Sequence, residues 1–236
     1  MIDPVEGRQA IIEIQKALAG VRDGKFVFVG GGIIPLLITD MGAATVRPTK
    51  DMDVVFEVAS VGDYSFIRQE LLNVGFRDLI SDDIPACALF WRNWRVDFLC
   101  ATPGIVPGSN RWFPYVIADA ELQQVEDVNI WRASTATFIA TKLEAWFSRG
   151  RLPDESPDYL HQDMEDIVAV IDGRNELIEE IEYAPPDVLT FLRRIFADLL
   201  KTSDFLNFLP GHVGGEERAR MVVERMKTIS DLQSWK

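Results

Sequence analysis

Thr49-Lys50-Asp51-Met52-Asp53-Val54-Val55-Phe56 is the stretch on which the reading of this chain turns. Val54-Val55-Phe56 marks a β-strand entered from Arg47-Pro48-Thr49-Lys50, and two aspartates two residues apart stand at its start. Side chains alternate across a strand, so Asp51 and Asp53 point to one face, about 6.5–7 Å apart along it. Like charges so placed repel each other and favour a hard cation between them. A D-x-D at a strand start is also ordinary solvated turn chemistry, so its neighbours along the chain must decide.

Upstream, Ile11, Ile14 and Leu18 recur at helical spacing before Gly20, and Lys25 to Val29 reads as a short strand rich in Phe and Val. Gly30-Gly31-Gly32 follows, and Ile33 to Asp40 reads as a helix with Pro35 in its first turn. Glycines at that point allow close backbone approach and present free N–H groups to phosphate oxygens. A dinucleotide fold fits less well, because Gly30-x-Gly32-x-x-Pro35 lacks the last glycine and the acids precede their strand.

Downstream, about 63–73 is an amphipathic helix ended by Gly75. Ala86 to Trp91 and Trp94 to Cys100 form a hairpin joined by Arg92-Asn93. Its second strand reads Arg95-Val96-Asp97-Phe98-Leu99, where an unpaired charge would be expensive. Asp97 therefore either pairs with Arg95 or another base, or completes with Asp51 and Asp53 an all-oxygen site suited to Mg²⁺. Two such ions about 3.5–4 Å apart clamp a triphosphate and activate an attacking hydroxyl.

Residues 103–114 hold three prolines, two glycines, Ser109 and Asn110, and read as loop. From Ser134 onward strand signals disappear, and helical patterns cover about 134–149, 159–172, 186–201 and 215–231, with loops at 150–157 and 209–215. The expectation is an α+β chain: a mixed sheet flanked by helices over 1–132, then a helical domain over 133–236 that completes an NTP cleft. On the first of these helices Lys142, Ala145, Trp146 and Arg149 share a face, with Lys142 and Arg149 about 10 Å apart along it. That span suits a triphosphate; the alternative is two bases snorkelling beside Trp146 and Phe147. Asp163 and Asp166 lie beside an apolar stripe of Leu160, Met164, Ile167 and Ile171, and either orient those bases or solvate the helix edge.

Composition narrows the partners. The 236 residues carry a net charge of −13, and it is evenly spread: 12 basic and 18 acidic residues to Arg132, then 12 and 19. A wide basic surface for nucleic acid is disfavoured. Arg218, Arg220, Arg225 and Lys227 form the one basic concentration near the C-terminus, and they fit an ordinary charged helix face better than an RNA patch. Cys87 and Cys100, without CxxC spacing, read as a buried reduced pair, and with only His161 and His212 a zinc site is poorly supplied. The longest uncharged stretch, Phe26 to Thr39, is fourteen residues broken by glycine and proline, so no bilayer span is expected. Asp3 and Glu6 stand where an export leader would be basic and apolar, so a cytoplasmic protein is expected.

The order of these motifs resembles the DNA polymerase β-like nucleotidyltransferase superfamily, with its glycine pair, D-x-D and third aspartate on a neighbouring strand. More closely it resembles the bacterial AbiEii-type group, which includes nucleotidyltransferase toxins of type IV toxin–antitoxin systems. That group's R-x-T-x-D-x-D is matched by Arg47, Thr49, Asp51 and Asp53. Its lysine helix is matched by Thr141-Lys142-Leu143-Glu144-Ala145 with Arg149, and its D-x-x-D by Asp163-Met164-Glu165-Asp166. The resemblance runs to about Gly173 and leaves the last sixty residues unmatched. It implies that Gly31 and Gly32 cradle phosphates, that Asp51, Asp53 and Asp97 hold Mg²⁺, and that Thr49, Lys142, Arg149 and Asp163 assist triphosphate binding and catalysis. The triple glycine stands where many relatives have Gly-Ser, which removes a hydroxyl but keeps the backbone donors.

The activity so implied moves a nucleoside monophosphate from an NTP to an acceptor hydroxyl and releases pyrophosphate. The resemblance favours tRNA as acceptor, a toxin role and an antitoxin partner. A protein, a small molecule of antibiotic type, or a non-catalytic nucleotide-binding module are the competing expectations.

Overall fold

The computed structural model describes residues 4–21, 24–43, 49, 51–79, 84–106 and 108–233. Asp3, Arg47, Pro48, Lys50 and Pro107, used in the sequence reading, lie outside the described residues. The chain divides into two compact units, one of residues 1–33 and 48–133, the other of 34–47 and 134–236.

The first unit opens with helix α1 (Pro4–Leu18) and strand β1 (Val27–Val29). A single 3₁₀ turn over Gly31–Ile33 leads out of it into the four-residue helix α2 (Ile34–Leu37), so the helix expected over 33–40 is much shorter than its pattern. The chain returns as β2 (Asp51–Phe56), α3 (Val61–Asn73), β3 (Ala88–Trp91), β4 (Trp94–Cys100), α4 (Phe113–Ala118), β5 (Glu121–Val125) and β6 (Val128–Arg132). The strands make one mixed sheet in the order β3-β4-β2-β1-β6-β5. The β5–β6 hairpin has no counterpart in the sequence reading. Its first strand, Glu-Leu-Gln-Gln-Val, is polar, and it turns through Glu126 at φ 54° where a glycine or asparagine would have signalled the turn.

β2 is antiparallel to β1 and parallel to β4. The antiparallel pairing brings the end of β1 to the start of β2, and the parallel pairing brings the start of β4 to the same end. Phe26, Phe56, Phe76 and Phe98 pack edge to face or tilted at 5.3–6.4 Å and fix that arrangement. Ser60 caps α3 by accepting from the Asp63 amide, and the Tyr64 hydroxyl donates to the Phe98 carbonyl at 3.0 Å, tying the helix to β4.

The second unit holds α2 with α5 (Thr135–Arg149), α6 (Gln162–Gly173), α7 (Leu177–Glu182), α8 (Pro186–Leu199), α9 (Ser203–Val213) and α10 (Glu216–Asp231). Ser134 and His161 cap α5 and α6 by accepting from the amides of Thr137 and Asp163. Because α6 starts at Gln162, Leu160 does not belong to its apolar stripe; it is 59% exposed. The loop expected at 209–215 is instead the end of α9, which runs through Pro210 and stops at Gly214, in the left-handed region at φ 77°. Segment 34–43 joins this unit by bonds: the amides of Thr39 and Asp40 both donate to the Gly173 carbonyl at 2.9 Å. Among the described residues no helix is long and apolar enough to cross a membrane.

Candidate functional site

The register explains why four charged side chains meet. Asp51 stands beside Arg95 and Asp53 beside Asp97 on neighbouring parallel strands, so all four project from one face. The Arg95 guanidinium lies across the cluster. Its Nε donates to Asp97 Oδ1 at 2.9 Å, and its Nη2 to Asp97 Oδ2 at 2.8 Å and Asp51 Oδ2 at 2.7 Å. Of the two readings of Asp97, the pairing with Arg95 is thus present in the structure. Burial pushes the Asp97 carboxyl above its ordinary pKa, and Arg95 offsets only part of that rise. Burial also works against the Arg95 charge, but the three carboxylates around it more than compensate.

The glycine turn closes the site from the side of β1. Val29 is the register partner of Asp53, and Gly30 follows at φ 68°. A Cβ on Gly30 would lie 1.9 Å from Asp53 Oδ2, so the backbone favours glycine here and a side chain would force the carboxylate to move. Gly32 is buried, and a Cβ there would meet the Met52 sulfur at 2.4 Å, which makes its smallness a packing requirement under β2. Gly31 opens the 3₁₀ turn and stays partly accessible. The Thr49 hydroxyl donates to the Asp51 carbonyl at 3.1 Å and holds the entry to β2.

Asp51, Asp53 and Asp97 suit Mg²⁺ in kind, being hard oxygen donors on one face. Among the described residues, however, no three acidic, histidine or cysteine side chains form a group ready to hold a metal. The Arg95 guanidinium occupies oxygens of Asp51 and Asp97. The donor set fits a divalent cation on the condition that Arg95 yields.

The other predicted residues form a cluster of their own within the helical unit. Asp163 is fully buried and accepts from Lys142 Nζ at 3.0 Å, Arg149 Nε at 2.7 Å and Arg149 Nη2 at 2.9 Å. Lys142, itself buried, also pairs with Asp166 at 2.6 Å. The two bases expected to span a triphosphate therefore converge on one carboxylate, and the acids orient them instead of solvating a helix edge. Burial opposes the charge on Asp163, but Arg149 and Lys142 hold its carboxyl below the ordinary range. Burial likewise opposes the charge on Lys142, yet Asp166 and Asp163 hold its pKa above the ordinary lysine range.

The C-terminal bases are also engaged. Arg218 bridges Asp172 and Asp40, Arg225 donates to the carbonyls of Ile171 and Asp172, and Lys227 pairs with Glu224. Arg218 and Arg225 thus hold the end of α6, while Lys227 pairs within α10. Two further residues, Gly30 and Arg95, belong to the first cluster. The glycine run points to Gly31 and Gly32 where the structure puts Gly30 against Asp53, and the pattern offers Arg95 only as one partner for Asp97. Strand parity carried the signal for Arg95, because residues two apart share a face.

No protein-family model matches the chain, and no curated protein does. Among solved structures it is similar to an antigenic nucleotidyltransferase-like protein from Paracoccidioides brasiliensis, at 15% identity and a TM-score of 0.47, over 71% of this chain and 76% of that one. At that distance, what the chain does has to be read from its own side chains.

Proposed function

We propose that the chain is a Mg²⁺-dependent nucleotidyltransferase that moves a nucleoside monophosphate from an NTP to an acceptor hydroxyl and releases pyrophosphate. The observation that carries this reading is the gathering of Asp51, Asp53 and Asp97 at one end of the sheet, against a glycine turn whose first residue meets Asp53 where a side chain would begin. Mg²⁺ bound by these three carboxylates would neutralise triphosphate charge and make the acceptor hydroxyl a better nucleophile. The chain's own contribution is to hold the acids on rigid strands and to bring backbone, not side chain, up to Asp53.

The motif resemblance favours a tRNA hydroxyl as acceptor and a toxin role beside an antitoxin. The net charge of −13 makes long-range attraction to a polyanion weak, so RNA recognition would rest on local contacts. A second reading, a nucleotide-binding module without turnover, is favoured by one observation: Arg95 already satisfies two of the three acids.

Incubation with each α-labelled NTP, Mg²⁺, total tRNA and total cell protein separates these. Label on tRNA with pyrophosphate release is the expected result. Label on protein alone, or pyrophosphate without a labelled macromolecule, would move the acceptor to protein or to a small molecule. NTP binding with no pyrophosphate would support the binding module and overturn the enzyme.

A further inference from the structure

We propose that Arg95 and a divalent cation compete for the same carboxylate oxygens, so that Arg95 sets the cation concentration at which this site loads. The inference rests on the nucleotidyltransferase reading and adds a positioning residue to it.

The three bonds of the guanidinium occupy both oxygens of Asp97 and one of Asp51. Those are oxygens that a cation held between the two strands would need. Charge-assisted bonds of this kind are among the strongest a side chain makes, so a cation that takes the oxygens must displace an equivalent interaction. The guanidinium's positive charge also lowers the attraction that Asp51 and Asp97 exert on an incoming cation. The Arg95 side chain is 36% exposed, against 11% for Asp97, and its long stem can swing outward while Val96 and Phe98 stay in the core. A purely structural Arg95, present to satisfy buried Asp97, makes the opposite prediction. Removing it would disorder the acids and weaken cation binding.

Mn²⁺ titration of the full chain, read as free Mn²⁺ by electron paramagnetic resonance, tests this on wild type, Arg95→Gln, Arg95→Lys and Asp53→Asn. The expected result is binding by wild type, loss of binding in Asp53→Asn, and binding at least about tenfold tighter in Arg95→Gln, a tenfold change being roughly one net hydrogen bond. Arg95→Lys, which keeps the charge but not the fork, is expected between the two. Equal or weaker binding by Arg95→Gln, with the wild-type site still lost in Asp53→Asn, overturns the competition and leaves the nucleotidyltransferase reading standing. Binding that is absent from wild type or indifferent to Asp53→Asn overturns the metal site itself, and the competition with it. A wild-type measurement guards against a variant that does not fold. The Arg95 Nε–H resonance, assigned by its disappearance in Arg95→Lys or by sequential correlation, is expected to shift as Mg²⁺ is added, and an unmoved signal at saturation overturns the proposal.

Discussion

Gly30 and Asp53 define each other's conformation: the glycine sits at φ 68°, and the space where its Cβ would be is held by Asp53 Oδ2, 1.9 Å from that position. The turn after β1 meets the first acidic strand at this point, where Val29 is the register partner of Asp53.

Gly30→Ala is therefore expected to cost more than a left-handed alanine alone. The backbone term is about 1–2 kcal/mol, and the displaced carboxylate adds to it. In an Asp53→Ala background the second contribution disappears. Urea unfolding of the four proteins should give a coupling energy well above the roughly 0.3–0.5 kcal/mol scatter of independent sites. Additive costs would mean that the carboxylate turns away freely, and that Gly30 is needed for its backbone only.

Asp51→Asn and Asp53→Asn are expected to abolish Mg²⁺-dependent transfer, and Asp51→Asn, which gives up a part-exposed ion pair with Arg95, is expected to lower the melting temperature slightly. Near-normal transfer by either variant, measured as pyrophosphate release, would remove that residue from the site.

What the sequence made legible was whatever depends on short-range periodicity. The parity of Asp51 and Asp53 on β2, and the place of Asp97 inside a buried strand, follow from a period of two and came through. The sheet order, which brings Asp53 beside Asp97, depends on pairings between distant segments and could not be read. β5 gives no strand signal because Glu121, Gln123 and Gln124 are poor strand formers, and α9 has no counterpart in the reading, its last turns falling in the loop expected at 209–215 where Pro210 stands. For Lys142 and Arg149 the helical rise gave the backbone separation, about 10 Å. It could not reveal that Asp163, from the next helix, draws both side-chain ends together.

Lys142→Ala tests that cluster. The change removes the ammonium that Asp163 and Asp166 share in a buried setting, and breaking a buried pair in this way costs about 3–5 kcal/mol. A marked loss of stability in chemical denaturation is expected. Unchanged stability with weakened NTP binding in calorimetry would return Lys142 to the triphosphate role that its spacing first suggested.

The same cluster dictates a pH response at the acid end. Asp163 has a pKa below its ordinary value in the folded chain, so the folded state binds its proton less readily than the unfolded one. Its stabilising contribution is complete above the unfolded carboxyl pKa of about 4 and is lost as pH falls through the lower folded value. Lys142 works at the other end: its raised pKa keeps its contribution intact up to about 10.4, to be lost only as pH rises beyond that. Asp97 carries the opposite sign from Asp163, since its raised pKa makes the folded state the better proton binder and gains stability as pH falls. A wild-type profile mixes the two carboxyls, so the informative quantity is the stability difference between wild type and Asp163→Asn. That difference should hold steady from pH 7 to about 4.5 and shrink towards pH 2–3, as Asp163 protonates and comes to resemble the amide. Unfolding by urea at each pH gives it directly. A difference that stayed constant down to pH 2 would mean that the buried carboxylate contributes through shape and neutral hydrogen bonds, and that its charge pairing with Lys142 and Arg149 stabilises nothing.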